Sequence, residues 1–380
     1  MKENGIRPRK CVKNLSSAKP GDPMRDIQEN LGINRAIKLS SNENPLGPSP
    51  KALEAMKAAL NQVHIYPDGN SGRLREVLSE HLDLKPEKLL FGNGSDEIIK
   101  LVSEAFVNPG ESVCIFHPSF TEYHFATELM EGKLIKVELD QMKCNLKKML
   151  NAITPDTKLI YMANPNNPTG TIYSKGELIN FMKQLPSHVV VVCDEAYHEF
   201  VKSPNYGTAM DLIDNYPNIL VLRTFSKLHG LAGLRIGYAV ANEDLIDTLQ
   251  KVREPFNVNA IAQVGAVESI KDKDHVKQSK EHTWQALEQF YHYLPQIGLS
   301  YIPTQANYLL IDLKGMDDEK IARDLYEKGI VVKHGKALGI PGYIRVSTGL
   351  EHENKIFIQT MSEIVSADTC SSQHQRKGIV

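Results

Sequence analysis

The sequence is poor in the features that mark secreted, zinc-binding and membrane-spanning proteins. Its 380 residues include five cysteines, which are scattered without a CxxC pair, so we expect neither a disulfide framework nor a zinc site. The longest apolar runs, such as residues 189–193, have the length of a strand, whereas a membrane helix needs about 20 apolar residues. No apolar stretch follows the early charges, so no signal peptide is expected. These deficits predict a protein of the reducing cytoplasm with no membrane partner.

An excess of charge of one sign is also lacking. The net charge is −2, and the short basic runs at residues 7–10 and 376–377 lie in the two tails, where we interpret them as solvated termini. Proteins that bind nucleic acid usually carry a basic patch or block, so we expect no nucleic-acid partner. The apolar share of 41% and the charged share of 24% are ordinary for a globular enzyme.

The sequence does contain a regular alternation of strand and helix patterns. Short β-rich runs occur at residues 89–91, 112–116, 158–162, 189–193, 219–222 and 235–240. Helical patterns lie between them, and one begins with Ser174 followed three residues later by Glu177, which predicts a capping box. The alternation predicts an α/β fold in which a mostly parallel sheet is sandwiched between helices.

The pattern changes near residue 271, which indicates a second, smaller α+β domain. After this point we predict a helix at residues 272–293, a strand at 308–312, a helix at 317–328, strands at 330–333 and 343–347, and a last helix from residue 351. We therefore divide the chain into an N-terminal arm at residues 1–38, a large domain at 39–270, a small domain at 271–368 and a disordered tail at 369–380. The arm is expected to pack against the small domain or a partner subunit.

Chemically useful residues follow three of the predicted strands. The sequence NPNNPTG occupies residues 164–170, DEAY occupies residues 194–197, and RTFSK occupies residues 223–227. Each segment alone has an ordinary interpretation, as a turn, a helix cap or a solvated lysine. In an open parallel sheet, however, ligands bind outside the carboxyl ends of the strands, so these segments are expected to meet at one edge. Their convergence favours a functional site.

The set of side chains at this edge suits pyridoxal 5'-phosphate. The aldehyde of this cofactor needs a lysine amine to form a Schiff base, and its pyridine nitrogen needs a carboxylate that keeps the ring an electron sink. Amide and phenol donors suit its phenolate oxygen. Its phosphate suits hydroxyls, a guanidinium and the amino end of a helix. The candidates for the phosphate are Gly94, Ser95, Asp96, Thr224, Ser226 and Arg235.

Several segments together resemble a known family. They are residues 39–48 (LSSNENPLGP), 66–68 (YPD), 92–97 (GNGSDE), 164–170, 194–197 and 223–238 (RTFSKLHGLAGLRIGY). They resemble the fold-type I, class II aminotransferases and, more narrowly, the histidinol-phosphate aminotransferase subfamily. The resemblance covers about residues 15–366 and implies the fold of the pyridoxal-phosphate-dependent transferases.

The resemblance implies a role for each residue around the cofactor. Lys227 would carry the cofactor as a Schiff base and shuttle the proton of the substrate's α-carbon. Asp194 would pair with the pyridinium, and Asn167 and Tyr197 would bind the phenolate oxygen. The phosphate would be bound by Ser95, Asp96, Thr224, Ser226 and Arg235. Phe120 occupies the position of the aromatic residue that stacks on the ring, and Tyr123 is the alternative.

The resemblance also implies substrates and a partner. Arg345 matches the arginine that binds the substrate carboxylate, and Asn44 and Asn307 match substrate-side positions. Tyr66 matches a tyrosine that reaches the cofactor phosphate of the neighbouring subunit, which implies a homodimer with shared active sites. The expected reaction moves an amino group between an amino acid and a 2-oxo acid in two half-reactions, with histidinol phosphate and glutamate as the leading pair.

Two departures from the family pattern leave the substrate open. Members often have Pro-Tyr where this chain has Ser17 and Ala18, and an arginine where it has Lys333. Because lysine binds phosphate only as a point charge, an aromatic or specialised amino acid is an alternative substrate. A decarboxylase of the threonine-phosphate type is a second alternative. A regulator that binds the cofactor without catalysis is a third, although such proteins carry an added DNA-binding domain.

Overall fold

The computed structural model describes residues 7–15, 24–33 and 35–377. Ser17 and Ala18, where the sequence departs from the aminotransferase pattern, lie outside the described residues. The N-terminal segment contains α1 (Lys10–Asn14), α2 (Met24–Leu31) and β1 (Ile37–Lys38). Next to α1, the guanidinium of Arg9 donates a hydrogen bond to the carbonyl of Leu129 over 3.2 Å, so this end of the chain contacts the body of the protein.

A seven-stranded sheet forms the centre of the molecule. Its strands are β2 (Leu89–Gly92), β3 (Ser112–His117), β4 (Lys133–Glu138), β5 (Thr157–Ala163), β6 (Val190–Asp194), β7 (Ile219–Thr224) and β8 (Gly237–Ala241). The spatial order is β2-β8-β7-β6-β5-β3-β4, and β8 is antiparallel to both of its neighbours. The other pairings are parallel, and every residue of β6 is buried, as expected for a valine-rich strand covered on both faces.

Helices cover both faces of this sheet. They are α3 (Pro50–Ala59), α4 (Gly72–Leu82), α5 (Ser95–Phe106), α6 (Thr121–Leu129), α7 (Leu146–Ala152), α8 (Lys175–Gln184), α9 (Glu243–Gln250) and α10 (Ala260–Lys271). One apolar core contains buried side chains of α3, α4, α7, α8 and α10, and the other contains those of α5, α6 and α9. The predicted sandwich of a mostly parallel sheet between helices is therefore confirmed. The predicted capping box of Ser174 and Glu177 is present at the start of α8.

The remaining elements form a smaller layer beside the central sheet. They are α11 (Lys273–Tyr293), β9 (Ser300–Ile302), β10 (Tyr308–Asp312), α12 (Asp318–Glu327), β11 (Ile330–Val331), β12 (Lys333–His334), β13 (Tyr343–Ser347) and α13 (Glu351–Lys377). Four of these strands form an antiparallel sheet in the order β12-β13-β10-β9. The strand β11 pairs instead with β1, so the N-terminal segment is hydrogen-bonded to this smaller layer.

The structure corrects two strand predictions, and it contains a strand that was not predicted. The strand predicted at residues 330–333 is divided between two sheets, because β11 pairs with β1 and β12 pairs with β13. The strand predicted from Arg235 begins at Gly237, because Arg235 has a left-handed backbone with φ of 53°. The sequence analysis missed β4, an edge strand whose lysines and glutamate conceal its apolar alternation.

Two of the predicted domain boundaries can be compared with the bounds of the helices. The division near residue 270 coincides with the junction of α10 and α11 at Asp272, and the division itself stays a prediction. The tail at residues 369–380 also stays a prediction, and the helix α13 extends to Lys377. Among the described residues, every helix is too short or too polar to cross a bilayer.

Candidate active site

A cavity of about 510 Å³ lies where the carboxyl ends of β5, β6 and β7 face β12 and β13. The sequence-predicted residues that line it are Ser95, Asp96, Phe120, Tyr123, Asn167, Asp194, Tyr197, Thr224, Ser226, Lys227, Arg235, Lys333 and Arg345. The convergence arises because parallel neighbours end at one edge, and in the register Asp194 lies between Ala163 of β5 and Leu222 of β7. The structure thus brings together side chains that lie up to 250 residues apart in the sequence.

Asp194 is the last residue of β6 and is buried. The hydroxyl of Tyr123 donates a hydrogen bond to its Oδ2 over 2.6 Å, and the backbone N–H of Ala196 donates to its Oδ1 over 3.0 Å. Burial raises the pKa of Asp194 to about 6, and the hydrogen bond from Tyr123 opposes this rise. A carboxylate in this environment gains from a cationic partner.

Asn167 and Arg345 form a pair across the cavity. The guanidinium Nη1 of Arg345 donates to the Oδ1 of Asn167 over 2.6 Å, and its Nη2 donates to the carbonyl of Ser40, also over 2.6 Å. Because the carbonyl end of the Asn167 amide accepts this bond, its NH2 end is the one available to a ligand. The Nε of Arg345 is buried without a hydrogen-bond partner among the described residues.

The amine of Lys227 and the phenol of Tyr197 are neighbours. The Nζ of Lys227 lies 5.7 Å from the centre of the Tyr197 ring and donates to the carbonyl of Ser41 over 3.1 Å. The hydroxyl of Tyr197 accepts a hydrogen bond of 2.9 Å from the Nδ2 of Asn42. Asn42 has a left-handed backbone with φ of 56°, and its N–H donates to the hydroxyl of Ser347. The segment around residue 42 therefore fixes both groups.

The amino end of α5 forms an anion-binding corner. Gly94 precedes this helix with φ of 83°, and a Cβ atom placed on it would lie 2.5 Å from the Nη2 of Arg235. A Cβ on Gly237 would lie 2.7 Å from the backbone nitrogen of Ser95. Both positions therefore require glycine. The guanidinium of Arg235 also donates to Asp96 over 2.8 Å, which keeps it beside the free N–H groups of the helix end.

These groups fit pyridoxal phosphate. The cavity has an amine at Lys227, a carboxylate at Asp194, and amide and phenol groups at Asn167 and Tyr197. At the other end, the glycine-lined helix terminus beside Arg235 has the geometry and charge to receive a phosphate. The buried, unpartnered Nε of Arg345 is a donor on the substrate side. Each end of the cofactor thus has a group of matching chemistry.

Lys333 and Arg345 stand side by side in this cavity. They are direct partners in the antiparallel register of β12 and β13, so their side chains project from the same face. Burial, and after it the charge of Arg345, lowers the pKa of Lys333. No salt bridge of Arg345 or Lys333 to a carboxylate is found among the described residues, so the two form a cationic wall that suits an anionic substrate group.

Some predicted residues do not line the cavity. The side chain of Asn44 donates to the carbonyl of Leu228 and to the hydroxyl of Ser279, so it connects segments of the chain and has no free N–H for a substrate. Tyr66 is 80% exposed and stacks on Phe256 with ring centres 4.9 Å apart.

Asn307 and the two candidate stacking residues are also placed by the structure. Asn307 is buried, and its Nδ2 donates to the carbonyl of Asn42. The ring of Tyr123 stacks on Tyr161 with centres 4.8 Å apart, whereas the sequence analysis considered Tyr123 for stacking on the cofactor ring. Phe120 is half-buried in the cavity wall, and stacking on the cofactor stays a prediction for this residue.

Sequence reasoning missed Asn42 and Ser41 as site residues. Both lie in the segment LSSNENPLGP, which is one of the segments that resemble the family. Asn44 was the residue of this segment that was assigned to the substrate side. The left-handed backbone at Asn42 is what turns its amide toward Tyr197, and asparagine tolerates this conformation better than most residues. A second asparagine in the same segment was the available signal.

The fold and the site define a pyridoxal-phosphate-dependent transferase. The family model for aminotransferase class I and II matches residues 34–360, which is most of the chain. The protein therefore belongs to the class I and II aminotransferases, and pyridoxal phosphate is its cofactor.

Individual relatives agree with this assignment. The chain is 43% identical to a histidinol-phosphate aminotransferase of Moorella thermoacetica over 361 residues, which cover 94% of this chain and 93% of the relative. It is 41% identical to the enzyme of the same name from Caldicellulosiruptor saccharolyticus, over 94% of this chain and 99% of the relative. A solved structure of histidinol-phosphate aminotransferase from Sinorhizobium meliloti in complex with pyridoxal 5'-phosphate superposes with a TM-score of 0.87 at 25% identity, covering 95% of this chain and 98% of that one.

Proposed function

We propose that this aminotransferase moves an amino group between histidinol phosphate and the glutamate/2-oxoglutarate pair. The observation that carries the proposal is the cationic wall of Lys333 and Arg345, which has no carboxylate partner among the described residues. Histidinol phosphate presents a dianionic phosphate next to its amino-bearing carbon, and glutamate presents a carboxylate there. Two adjacent cations suit both anions. The names of the relatives support histidinol phosphate as one of the two substrates.

The residues of the cavity divide the work in the proposed reaction. When bound, pyridoxal phosphate supplies an aldehyde that condenses with amines and a ring that withdraws electrons. Asp194 would hold the ring nitrogen in its protonated form, and the NH2 of Asn167 and the hydroxyl of Tyr197 would bind the ring oxygen. Ser95, Asp96, Thr224, Ser226 and Arg235 would hold the phosphate, with Gly94 leaving room for the guanidinium. The amine of Lys227, once released by the substrate, would take the proton from the α-carbon and return it.

Arg345 would also align the substrate for this proton transfer. Its guanidinium is held by Asn167 and Ser40 and is buried, so the position of a bound anion is fixed before the substrate arrives. The same bond orients the amide of Asn167 toward the cofactor oxygen. Substrate binding and cofactor binding would therefore share one rigid contact.

The proposal is tested by half-reactions with a panel of amino donors. The purified enzyme, loaded with pyridoxal phosphate, is mixed with histidinol phosphate, glutamate, phenylalanine or threonine phosphate. Pyridoxamine phosphate formation is followed by absorbance and 2-oxo products by chromatography. Fastest conversion with histidinol phosphate, together with conversion by glutamate, is expected. A clear preference for phenylalanine would contradict the proposed substrate, and release of carbon dioxide from threonine phosphate would contradict transamination as the main reaction.

We also propose that two copies of the chain form a homodimer with shared active sites. An exposed apolar patch supports it: Val63, Ile65, Tyr66 and Phe256 are 62%, 58%, 80% and 51% exposed. Exposed groups of large apolar side chains usually mark an interface. In the proposed dimer, the phenol of Tyr66 would reach the cofactor phosphate of the partner subunit. We further propose that the chain divides into a large and a small domain and that the protein is located in the cytoplasm.

A further inference from the structure

The hydrogen bond between Tyr123 and Asp194 is the shortest side-chain contact of the carboxylate that faces the cofactor. The hydroxyl of Tyr123 donates to Oδ2 over 2.6 Å, and the other donor to this carboxylate is the backbone N–H of Ala196, over 3.0 Å to Oδ1. A carboxylate has about four lone-pair positions, so each oxygen of Asp194 keeps capacity for a further partner. The bonds from Tyr123 and Ala196 therefore leave Asp194 able to accept a further donor from the cavity.

The position of Tyr123 is fixed by its surroundings. Its side chain is fully buried, and its ring lies parallel to that of Tyr161, with centres 4.8 Å apart and an angle of 2° between the planes. The hydroxyl of Tyr161 in turn donates to the carbonyl of Ile99 and is hydrogen-bonded to Ser103, so the stack is anchored to α5. Three elements of the core, α5, α6 and β5, thus hold the phenol of Tyr123 against β6.

The charges around this pair define what the phenol does. Asp96 and Glu195 are the acidic groups that face Asp194, and both raise its pKa together with burial. The phenol opposes these effects, because a donated hydrogen bond stabilises the ionised carboxylate. Burial, and after it the negative charge of Asp194, raises the pKa of Tyr123 well above its ordinary value, so the phenol stays protonated and remains a donor.

We propose that Tyr123 is a positioning residue of the aminotransferase: its hydroxyl keeps the Asp194 carboxylate ionised and oriented for the ring nitrogen of the cofactor. It acts through Asp194 and touches neither the substrate nor the reacting atoms. The inference rests on the proposed pairing of Asp194 with the cofactor. It assigns a chemical task to a tyrosine whose burial alone would have marked it as part of the core.

The test compares Tyr123→Phe with Tyr161→Phe, its neighbour in the stack. Both variants lose one buried hydroxyl, but Tyr161 makes no hydrogen bond to Asp194, so its variant controls for loss of a core hydroxyl. Thermal unfolding verifies that both variants fold. The first readout uses the cofactor-free proteins: the infrared carboxyl band of Asp194, identified with Asp194→Asn, is followed as a function of pH. We expect protonation of Asp194 at higher pH in Tyr123→Phe and at the wild-type pH in Tyr161→Phe.

The second readout is the dissociation constant of pyridoxal phosphate, measured by titration of the cofactor-free protein. Hydrogen bonds to charged groups justify an expected weakening of about tenfold to a hundredfold in Tyr123→Phe. Tyr123→His, which returns a ring N–H to the site, should restore part of the affinity. A fall of kcat with little change of KM for the amino donor is also expected, because Tyr123 does not contact the substrate.

The outcomes separate this inference from the proposed function. If the wild-type protein binds pyridoxal phosphate and transaminates, but Tyr123→Phe and Tyr161→Phe give the same carboxyl titration and the same affinity, Tyr123 is only a core residue and the inference is overturned. If the wild-type protein transaminates none of the donors, the proposed function itself fails. If Tyr123→Phe unfolds, Tyr123→His replaces it in the comparison: protonation of Asp194 at a higher pH and a weaker affinity for pyridoxal phosphate than in Tyr161→Phe support the inference, and a folded Tyr123→His with the same titration and affinity as Tyr161→Phe overturns it.

Discussion

The guanidinium of Arg345 donates a 2.6 Å hydrogen bond to the side-chain oxygen of Asn167, 178 residues earlier in the chain. This bond joins β13 of the smaller layer to the loop that follows β5. It orients the amide so that its NH2 group is available to the cofactor, and it holds the guanidinium where a substrate anion would bind. We therefore expect cofactor binding and substrate binding to be coupled through this contact.

Replacing Arg345 with lysine is expected to weaken substrate binding. Lysine keeps the positive charge but lacks the planar fork that contacts Asn167 and a carboxylate together. We expect KM for glutamate to rise about tenfold or more, with a smaller effect on cofactor affinity. Arg323→Lys, an exposed position on α12, is the matched control. An unchanged KM in Arg345→Lys would remove Arg345 from the substrate site.

Lys333→Arg tests the substrate directly. An arginine can bind a phosphate with two parallel hydrogen bonds, whereas lysine acts as a point charge, so we expect KM for histidinol phosphate to fall by up to about tenfold. The control is Lys336→Arg, because Lys336 is exposed and paired with Glu319. Equal effects of both substitutions, or none, would leave no phosphate contact at residue 333.

The stability of the cofactor-free protein should depend on pH through Asp194. Its folded pKa of about 6 lies above the ordinary value of 3.8, so the folded protein holds this proton in a window where the unfolded chain has lost it. Stability should therefore fall as pH rises from about 4 to about 6, by about 3 kcal/mol in all, and stay level above that. Asp194→Asn lacks this titration, so its stability relative to wild type should grow over the same window.

This pH dependence is measured by urea unfolding of the cofactor-free proteins at a series of pH values. Asp156→Asn, at an exposed position, is the control and should follow the wild type. If Asp194→Asn shows the same pH dependence as the control, the carboxylate is not the group that titrates. In the loaded enzyme, Asp194→Asn should lower turnover by orders of magnitude, because the ring nitrogen loses its charge partner.

The shared-site dimer is tested by mixing two inactive variants. Lys227→Ala lacks the amine and Tyr66→Ala lacks the phenol that would cross to the partner. In a mixed dimer, one site combines the intact Lys227 of one subunit with the intact Tyr66 of the other. We therefore expect activity to return after the two variants are unfolded and refolded together. A mixture no more active than the separate variants would place Tyr66 outside the partner's site.

The sequence predicted the parts of the site that come from the ends of single strands. Asp194 and Lys227 follow valine- and leucine-rich strands, and parallel neighbours end at one edge, so their meeting could be inferred. The bond between Arg345 and Asn167 could not, because it depends on how the smaller layer packs on the sheet. Periodicity marks Tyr123 only as a buried residue of a helix, and its contact with Asp194 depends on how α6 packs on the sheet.

The same distinction applies to the fold. Strands such as β10 and β13 were predicted with their observed bounds, and four of the five residues in each strand are buried. The division between β11 and β12 was not predicted, because the two strands follow each other in one short run of residues but pair in two different sheets. Local pattern gives the element, whereas its partner is decided by long-range packing.

The most direct test of this account is to identify the residue that binds the cofactor. The purified protein is incubated with pyridoxal phosphate, reduced with borohydride to fix the cofactor to its amine, digested and examined by mass spectrometry. The cofactor should be found on Lys227, and Lys227→Ala should show neither the label nor the cofactor's absorbance. A label on another lysine, or a wild-type protein that stays colourless, would contradict the convergence of Asn167, Asp194, Tyr197 and Lys227 on one ring.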